Sequence, residues 1–80
     1  IMLKKGDRVI STTICGLRTN VPKGYKGIIM EISNVNGEDN EIYVKFENIV
    51  GTKYCGTLDN PRVKLLKRIK KHIKPEDLIL

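Results

Sequence analysis

The strongest constraint on the fold is a pair of alternating apolar stretches that flank a turn signal. Residues 27–33 read Gly-Ile-Ile-Met-Glu-Ile-Ser, and residues 41–47 read Glu-Ile-Tyr-Val-Lys-Phe-Glu. An apolar residue at every second position is typical of a half-buried β-strand. The pair Asn36 and Gly37 between the stretches favours the tight turn of a β-hairpin. The sequence therefore predicts an antiparallel hairpin whose core face carries Ile28, Met30, Ile32, Ile42, Val44 and Phe46.

Shorter elements are expected on both sides of this hairpin. Residues 8–15 are rich in Thr, Ile and Val and predict a strand. Residues 16–27 contain three glycines and a proline, so they predict a loop that is too long for a tight hairpin. A short irregular strand fits residues 48–58, and a closing strand is expected at residues 76–80. Further core positions are then expected at Val9, Leu58, Leu65, Ile69 and Leu78.

The length and hydropathy of the chain limit its organisation. Eighty residues suffice for one small domain, so we expect residues 1–80 to form a single unit. Since Ile1 precedes Met2, the natural start is expected at Met2. No uninterrupted apolar run exceeds three residues, whereas a membrane span needs about 20. No signal-peptide pattern opens the chain, and we expect a cytoplasmic protein.

Residues 61–73 fit both a helix and a strand. Asn60 would cap a helix that begins at Pro61. Such a helix would dock on the core through one apolar face formed by Leu65, Leu66, Ile69 and Ile73. A two-residue period, interrupted by lysines, equally connects Val63, Leu65, Ile69 and Ile73. We prefer the helix.

Four segments together resemble the small Src-homology-3-like barrels, and most closely their KOW-type members. They are Gly-Asp-Arg-Val at 6–9, Lys-Gly-Tyr-Lys-Gly-Ile-Ile-Met-Glu-Ile at 23–32, Tyr-Val-Lys-Phe-Glu at 43–47 and Pro-Glu-Asp-Leu at 75–78. The resemblance implies a mostly-β fold, a five-stranded Src-homology-3-like barrel. Residues 48–74 depart from the family pattern, because this stretch is too long and too basic, and the short basic helix near 61–73 would be inserted there. It also implies a binding module of the kind found in translation and transcription proteins, or an accessory subunit.

Positive charge is concentrated in one segment. The chain has 15 basic and 9 acidic residues, with a formal net charge of +6. Residues 61–74, here called the basic segment, contain no acid, and the remainder of the chain is nearly neutral. A local cationic stripe is typical of proteins that bind a polyanion, although a solvated lysine-rich surface has the same composition. If helical, the segment would present a ridge of Lys64, Lys67, Arg68, Lys70, Lys71 and Lys74.

Two further groups of residues are candidates for contact with a ligand. Tyr43 and Lys45 are expected on the outer face of the hairpin, where a tyrosine can stack on a base and a lysine can hold its phosphate. Tyr54 is expected nearby on the next strand; packing of both tyrosines against loops or the basic segment is the structural alternative. The other group lies in the loop before the first hairpin strand, in a Gly-x-x-Gly tetrapeptide, and comprises Lys23, Tyr25 and Lys26.

Sequence motifs for catalysis or metal binding are missing. His72, the sole histidine, lies in the basic segment, and no motif pairs it with Cys15 or Cys55 as a catalytic base. The two cysteines match no zinc-binding spacing. We expect two buried, reduced thiols, although a disulfide between them is geometrically possible. No enzyme activity, metal or cofactor is therefore expected.

These features favour a non-enzymatic module that binds DNA or RNA with little sequence specificity. Lysines outnumber arginines in the basic segment, which favours charge contact with phosphates over bidentate reading of bases. The alternative is a protein-interaction or accessory subunit, of the kind found in small phage or plasmid regulators, that binds an acidic protein surface. No membrane attachment is expected, and the sequence leaves the oligomeric state open.

Overall fold

The computed structural model describes residues 2–35 and 39–67, which form one antiparallel sheet of five strands. The strands span Arg8–Ser11 (β1), Lys26–Val35 (β2), Asp39–Phe46 (β3), Thr52–Thr57 (β4) and Val63–Lys67 (β5). The sheet has the order β4-β3-β2-β1-β5. The mostly-β class predicted from the alternation is therefore confirmed. Because β4 and β5 are the two edges, the described sheet is open, and a closed barrel is not confirmed.

The predicted hairpin is present as β2 and β3, but its alternation is broken by a β-bulge. Ile29 pairs with Val44 and Ile32 pairs with Ile42, which leaves Met30 as an extra residue on β2. A bulge exchanges the two faces of a strand beyond it. Ile29 therefore faces the core in place of Met30, and the predicted grouping of Met30 with the core face is wrong. The turn residues 36–38 lie outside the described part.

The core lies on the face of the hairpin that carries Ile42, Val44 and Phe46, as predicted. All three side chains have no exposed surface, and neither does Val9 of β1. Ile28 is also buried, but its pairing with Lys45 puts it on the opposite face of the sheet. The predicted residues Ile32, Leu58 and Leu65 are half-buried against the core, Ile69 and Leu78 lie outside the described residues, and the core further includes Leu3, Cys15, Val21, Ile29, Cys55 and Val63.

Gly27 allows β2 and β3 to approach closely at this core. A Cβ atom at this position would lie 2.6 Å from Cγ1 of Val44 and 3.0 Å from Cδ1 of Phe46. Real Cβ atoms do not approach other carbon atoms so closely, so the strand entry needs glycine. The residue thereby lets the Phe46 ring pack directly over the backbone of the neighbouring strand.

Residues 63–67 form strand β5, so the preferred helix is wrong for this part of the segment. β5 pairs with β1, placing Val63 opposite Ser11 and Leu65 opposite Val9. The pairing satisfies the backbone groups on the outer side of β1, which a helix could not do. Pro61 forms an isolated β-bridge with Gly56 rather than the first turn of a helix. Residues 68–73 lie outside the described part.

The residues that the structure describes include no helix with the length and hydropathy that a membrane crossing needs.

Candidate nucleic-acid interface

Tyr43 and Tyr54 form an aromatic pair on the face of the sheet opposite the core. The two residues are direct cross-strand partners in β3 and β4. Their ring centroids are 6.1 Å apart with an interplanar angle of 64°, an edge-to-face arrangement. Both side chains are half-buried, so part of each ring stays open to solvent. The predicted proximity of Tyr54 to Tyr43 is confirmed.

Arg62 extends this pair with a cation. Its guanidinium carbon lies 5.5 Å from the centroid of the Tyr54 ring, within the range of a cation–π interaction. The Arg62 backbone N–H donates to Cys55 O at 3.0 Å, and its carbonyl accepts from Thr12 N–H at 2.9 Å. Nη1 also donates to Ile14 O at 3.4 Å. The guanidinium is therefore held in place beside the aromatic pair. This contact agrees with the structural alternative given above, in which Tyr54 packs against the basic segment.

A shallow groove runs along the aromatic pair on the side of the 16–25 loop. One wall contains Leu17, Arg18 and Thr19 from that loop, and the other is formed by Thr52 and Lys53 of β4 with the two tyrosines. Leu17 is 79% exposed, an unusual position for a leucine that supplies no packing to the core. Arg18 thus gives this aromatic groove a cation, whereas the Lys53 side chain shares the opposite face of the sheet with its cross-strand partner Val44.

The opposite side of the Tyr43 ring is acidic. Glu31 is the cross-strand neighbour of Tyr43 in β2, and the Tyr43 hydroxyl donates to Oε1 of Glu41 at 3.1 Å. Partial burial, reinforced by this hydrogen bond and the nearby carboxylates, raises the pKa of Tyr43 above its ordinary value. A polyanion would therefore approach the pair from the Arg18 side, where the charge is favourable.

Lys45 does not contribute a free ammonium to this surface, although it lies on the predicted outer face of β3. Its Nζ donates to Phe46 O at 2.9 Å and also to Ile49 O. Phe46 is the last residue of β3, and Ile49 lies in the connection between β3 and β4. The structure therefore uses Lys45 to stabilise that turn, and we do not include it among the contact residues.

Lys23 and Tyr25 are exposed in the loop before β2, and Lys26, the first residue of that strand, is exposed as well. The Tyr25 side chain is 42% exposed and lines a shallow depression with Lys26, Glu47 and Asn48. This group belongs to a different depression from the Tyr43–Tyr54 groove. It forms a second, separate candidate surface.

Ser11 at the end of β1 holds this loop in place. Its hydroxyl donates to Pro22 O at 2.7 Å and accepts from Tyr25 N–H at 2.9 Å. Its backbone N–H donates to Tyr25 O at 2.8 Å, and its carbonyl accepts from Gly24 N–H at 2.9 Å. Since Ser11 is only 2% exposed, water cannot readily replace the hydroxyl.

Ser11→Ala is expected to lower the free energy of unfolding by about 1–3 kcal/mol, because it leaves buried polar groups of the loop without their partner. Chemical denaturation followed by circular dichroism measures the effect. Thr12→Ala, at the exposed neighbouring position, is the matched control and should change stability by less than about 0.5 kcal/mol. Equal effects of the two substitutions would contradict the anchoring role of the hydroxyl.

The basic segment is described only at its beginning. Lys64 is exposed on β5, where it pairs with Ile10, and Lys67 ends that strand opposite Arg8. These two predicted contact residues therefore lie on a strand and not on a helical ridge. Arg68, Lys70, Lys71, Lys74 and His72 lie outside the described residues.

Two residues that line the groove, Arg18 and Lys53, were not singled out for contact in the sequence. The cation that lies over the Tyr54 ring belongs to Arg62. The alternation in β4 is too short to reveal which face Tyr54 takes. The hydrogen bond that places Arg62, from its backbone N–H to Cys55 O, is not visible in a sequence. Only the approximate nearness of Tyr54 to Tyr43 could be expected, because the strand that carries Tyr54 comes directly after the hairpin.

The cysteines are buried and unpaired by a disulfide, as expected. In the described part of the chain, no three or more His, Cys, Asp or Glu residues are grouped as a metal site requires.

Comparison with protein-family models, with curated proteins and with solved structures found no match to this chain.

Proposed function

We propose that this domain is a non-enzymatic module that binds single-stranded nucleic acid with little sequence specificity. The observation that supports this best is the Tyr43–Tyr54 pair with Arg62 beside it and the cationic groove along it. Aromatic rings on a sheet surface stack on unpaired bases, and neighbouring cations hold the phosphates. The proposal includes a cytoplasmic location, where nucleic acid and reduced thiols occur together.

Weak specificity follows from the kind of contact that the groove offers. Every base has a π-face, so stacking on Tyr43 or Tyr54 accepts all four bases. An arginine guanidinium can read the edge of a guanine. The guanidinium of Arg62, however, already contacts the Tyr54 ring and Ile14 O. The remaining cation of the groove, Arg18, is exposed and can meet a phosphate there.

The finer fold that we propose is a Src-homology-3-like barrel in which the sheet curls toward closure. Two interactions between the end of β4 and the chain entering β5 support this. Arg62 N–H donates to Cys55 O, and Gly56 forms a bridge with Pro61. Such a curl would bring the basic segment toward the edge of the sheet that carries Tyr54.

Fluorescence anisotropy with labelled single- and double-stranded DNA and RNA, repeated from about 50 to 200 mM salt, tests the proposal. We expect single strands to bind more tightly than duplexes, because only they expose bases for stacking. A phosphate contact from Arg18 alone predicts a slope of log K against log salt of about −0.7. A slope near −4 or steeper would add phosphate contacts from the rest of the basic segment.

Absence of binding to any of these probes at low salt would contradict the proposal. A duplex preference would contradict the stacking part of it and leave a purely electrostatic surface. Random-sequence and homopolymeric single strands of equal length are the control for specificity, and their affinities are expected to lie within about tenfold of one another.

A protein partner with an acidic surface is the second candidate. The observation that favours it is the exposure of Ile14 and Leu17, which are 55% and 79% accessible beside Arg18. Exposed apolar side chains next to a cation are common in protein interfaces. Leu17→Ser separates the two functions, since it would weaken a protein interface while leaving the stacking rings and the cations of the groove unchanged.

A further inference from the structure

Cys15 and Cys55 are brought together in the core from positions forty residues apart. Neither side chain has exposed surface. The residue after the first cysteine is tied to the residue before the second, since Gly16 N–H donates to Tyr54 O at 2.8 Å. The Cys15 thiol donates to Thr13 O at 3.7 Å, and the Cys55 thiol donates to Lys53 O at 3.5 Å.

Arg62 provides a second connection between the two cysteines. The Cys15 thiol lies 3.7 Å from Arg62 O, and Arg62 N–H donates to Cys55 O at 3.0 Å. Both cysteines are thus anchored to the same residue. The juxtaposition is therefore fixed by the backbone and does not depend on a single side-chain rotamer.

The environment makes the two thiols unequal. The neighbouring Cys55 side chain lowers the pKa of the Cys15 thiol against the opposing effect of burial, and the nearby positive charge of Arg62 also lowers it. The pKa of Cys55 is raised by the neighbouring Cys15 side chain and by burial. Cys15 is consequently the thiol that ionises first, and the thiolate is the reactive form in disulfide exchange.

We propose that Cys15 and Cys55 form a reversible dithiol–disulfide site whose co-substrate is a small-molecule disulfide. The Cys15 thiolate attacks one sulfur of that disulfide, giving a mixed disulfide and releasing one thiolate. Cys55 then loses its proton to solvent and attacks the Cys15 sulfur, which releases the second thiolate. The two cysteines lose two electrons and two protons in total, and the small disulfide is reduced to two thiols.

The cross-link would join the loop that carries Leu17 and Arg18 to the strand that carries Tyr54. It constrains the unfolded chain strongly, because it closes a loop of about forty residues. Full burial of both sulfurs implies slow oxidation, since the loop must open before a disulfide reagent can reach Cys15. This inference does not depend on nucleic-acid binding, because it concerns the core and not the outer face of the sheet.

The test incubates the folded full-length chain in buffers that contain reduced and oxidised glutathione in varied ratios. After acid quenching, tryptic digestion and mass spectrometry should reveal a disulfide between peptides 9–18 and 54–62, which contain the two cysteines. The ratio of oxidised to reduced protein should be proportional to the oxidised glutathione concentration divided by the square of the reduced glutathione concentration, as an internal disulfide requires. A mixed disulfide with glutathione would instead follow the simple ratio of the two.

The oxidised protein should be more stable, with a folding equilibrium constant about a hundredfold higher than that of the reduced protein. Cys15→Ala and Cys55→Ala should each remove both the linked peptides and this stability shift. Because a variant of a buried residue can fail to fold, the wild-type peptide map decides the matter. Two free thiols after prolonged oxidation, stable glutathionylation, disulfide-linked dimers, or linkage only in denaturant would each overturn the proposal.

Discussion

Replacing Phe46 by alanine is expected to lower the free energy of unfolding by about 3–5 kcal/mol. Phe46 is the largest of the fully buried side chains in the described residues. It packs over the backbone of Gly27. No residue with a side chain could replace this glycine without a shift of the strands. A domain of this size is stable by about 5–15 kcal/mol, so the loss removes a large part of the total.

Urea denaturation followed by circular dichroism measures this effect. Phe46→Leu keeps most of the apolar volume and is expected to cost less than the alanine substitution. Val50→Ala is the surface control, because Val50 is 90% exposed and should tolerate truncation. If Phe46→Ala were no more destabilising than Val50→Ala, the core assigned to the inner face of the hairpin would be wrong.

The hairpin could be predicted because its pattern is local and long. Ile42, Val44 and Phe46 alternate with polar residues over the whole of β3, and the register of a half-buried strand is fixed by that alternation. The bulge at Met30 could not be predicted. Residues 28–30 are all apolar, so the sequence contains no signal that tells which of them is the extra one.

The start of the basic segment shows a different limit. Val63 and Leu65 fit a strand, whereas Leu65 and Leu66 fit a helix equally well. The choice depends on β1, which needs a partner on its outer side and finds it in β5. Local propensity cannot decide an element whose stability comes from pairing with a strand more than fifty residues away.

The candidate groove has the same dependence on tertiary contacts. The position of Tyr43 follows from the hairpin, and so does the approximate position of Tyr54. Arg62 reaches Tyr54 through its backbone bonds to Cys55 and Thr12, which lie in distant parts of the chain. Lys45 shows the reverse effect, since its predicted face is correct but its ammonium is taken by backbone carbonyls.

The double substitution Tyr43→Ala/Tyr54→Ala is expected to reduce single-strand affinity by about thirtyfold or more. Each ring that stacks on a base contributes about 1–3 kcal/mol, and 1.4 kcal/mol corresponds to tenfold in affinity. Arg62 also loses the ring beside it, so its guanidinium is no longer held over the groove. Anisotropy titrations at one low salt concentration measure the loss directly.

Two matched variants make the result specific to stacking. Tyr43→Phe/Tyr54→Phe retains both rings and removes both hydroxyls, so it should bind within a few-fold of the original protein. Tyr25→Ala removes an exposed tyrosine from the separate surface beside Lys26, and it should leave the affinity nearly unchanged if the groove is the binding site.

The salt dependence distinguishes the stacking contribution to the binding free energy from the contribution of the phosphate contacts. Removal of the rings should leave the slope of log K against log salt nearly unaltered, because the slope counts phosphates and not bases. Arg18→Gln should instead reduce the slope. Circular dichroism must show that each variant keeps the sheet. Equal loss of affinity in the alanine and phenylalanine double variants would exclude stacking, and a loss confined to Tyr25→Ala would move the site to the loop that Ser11 holds.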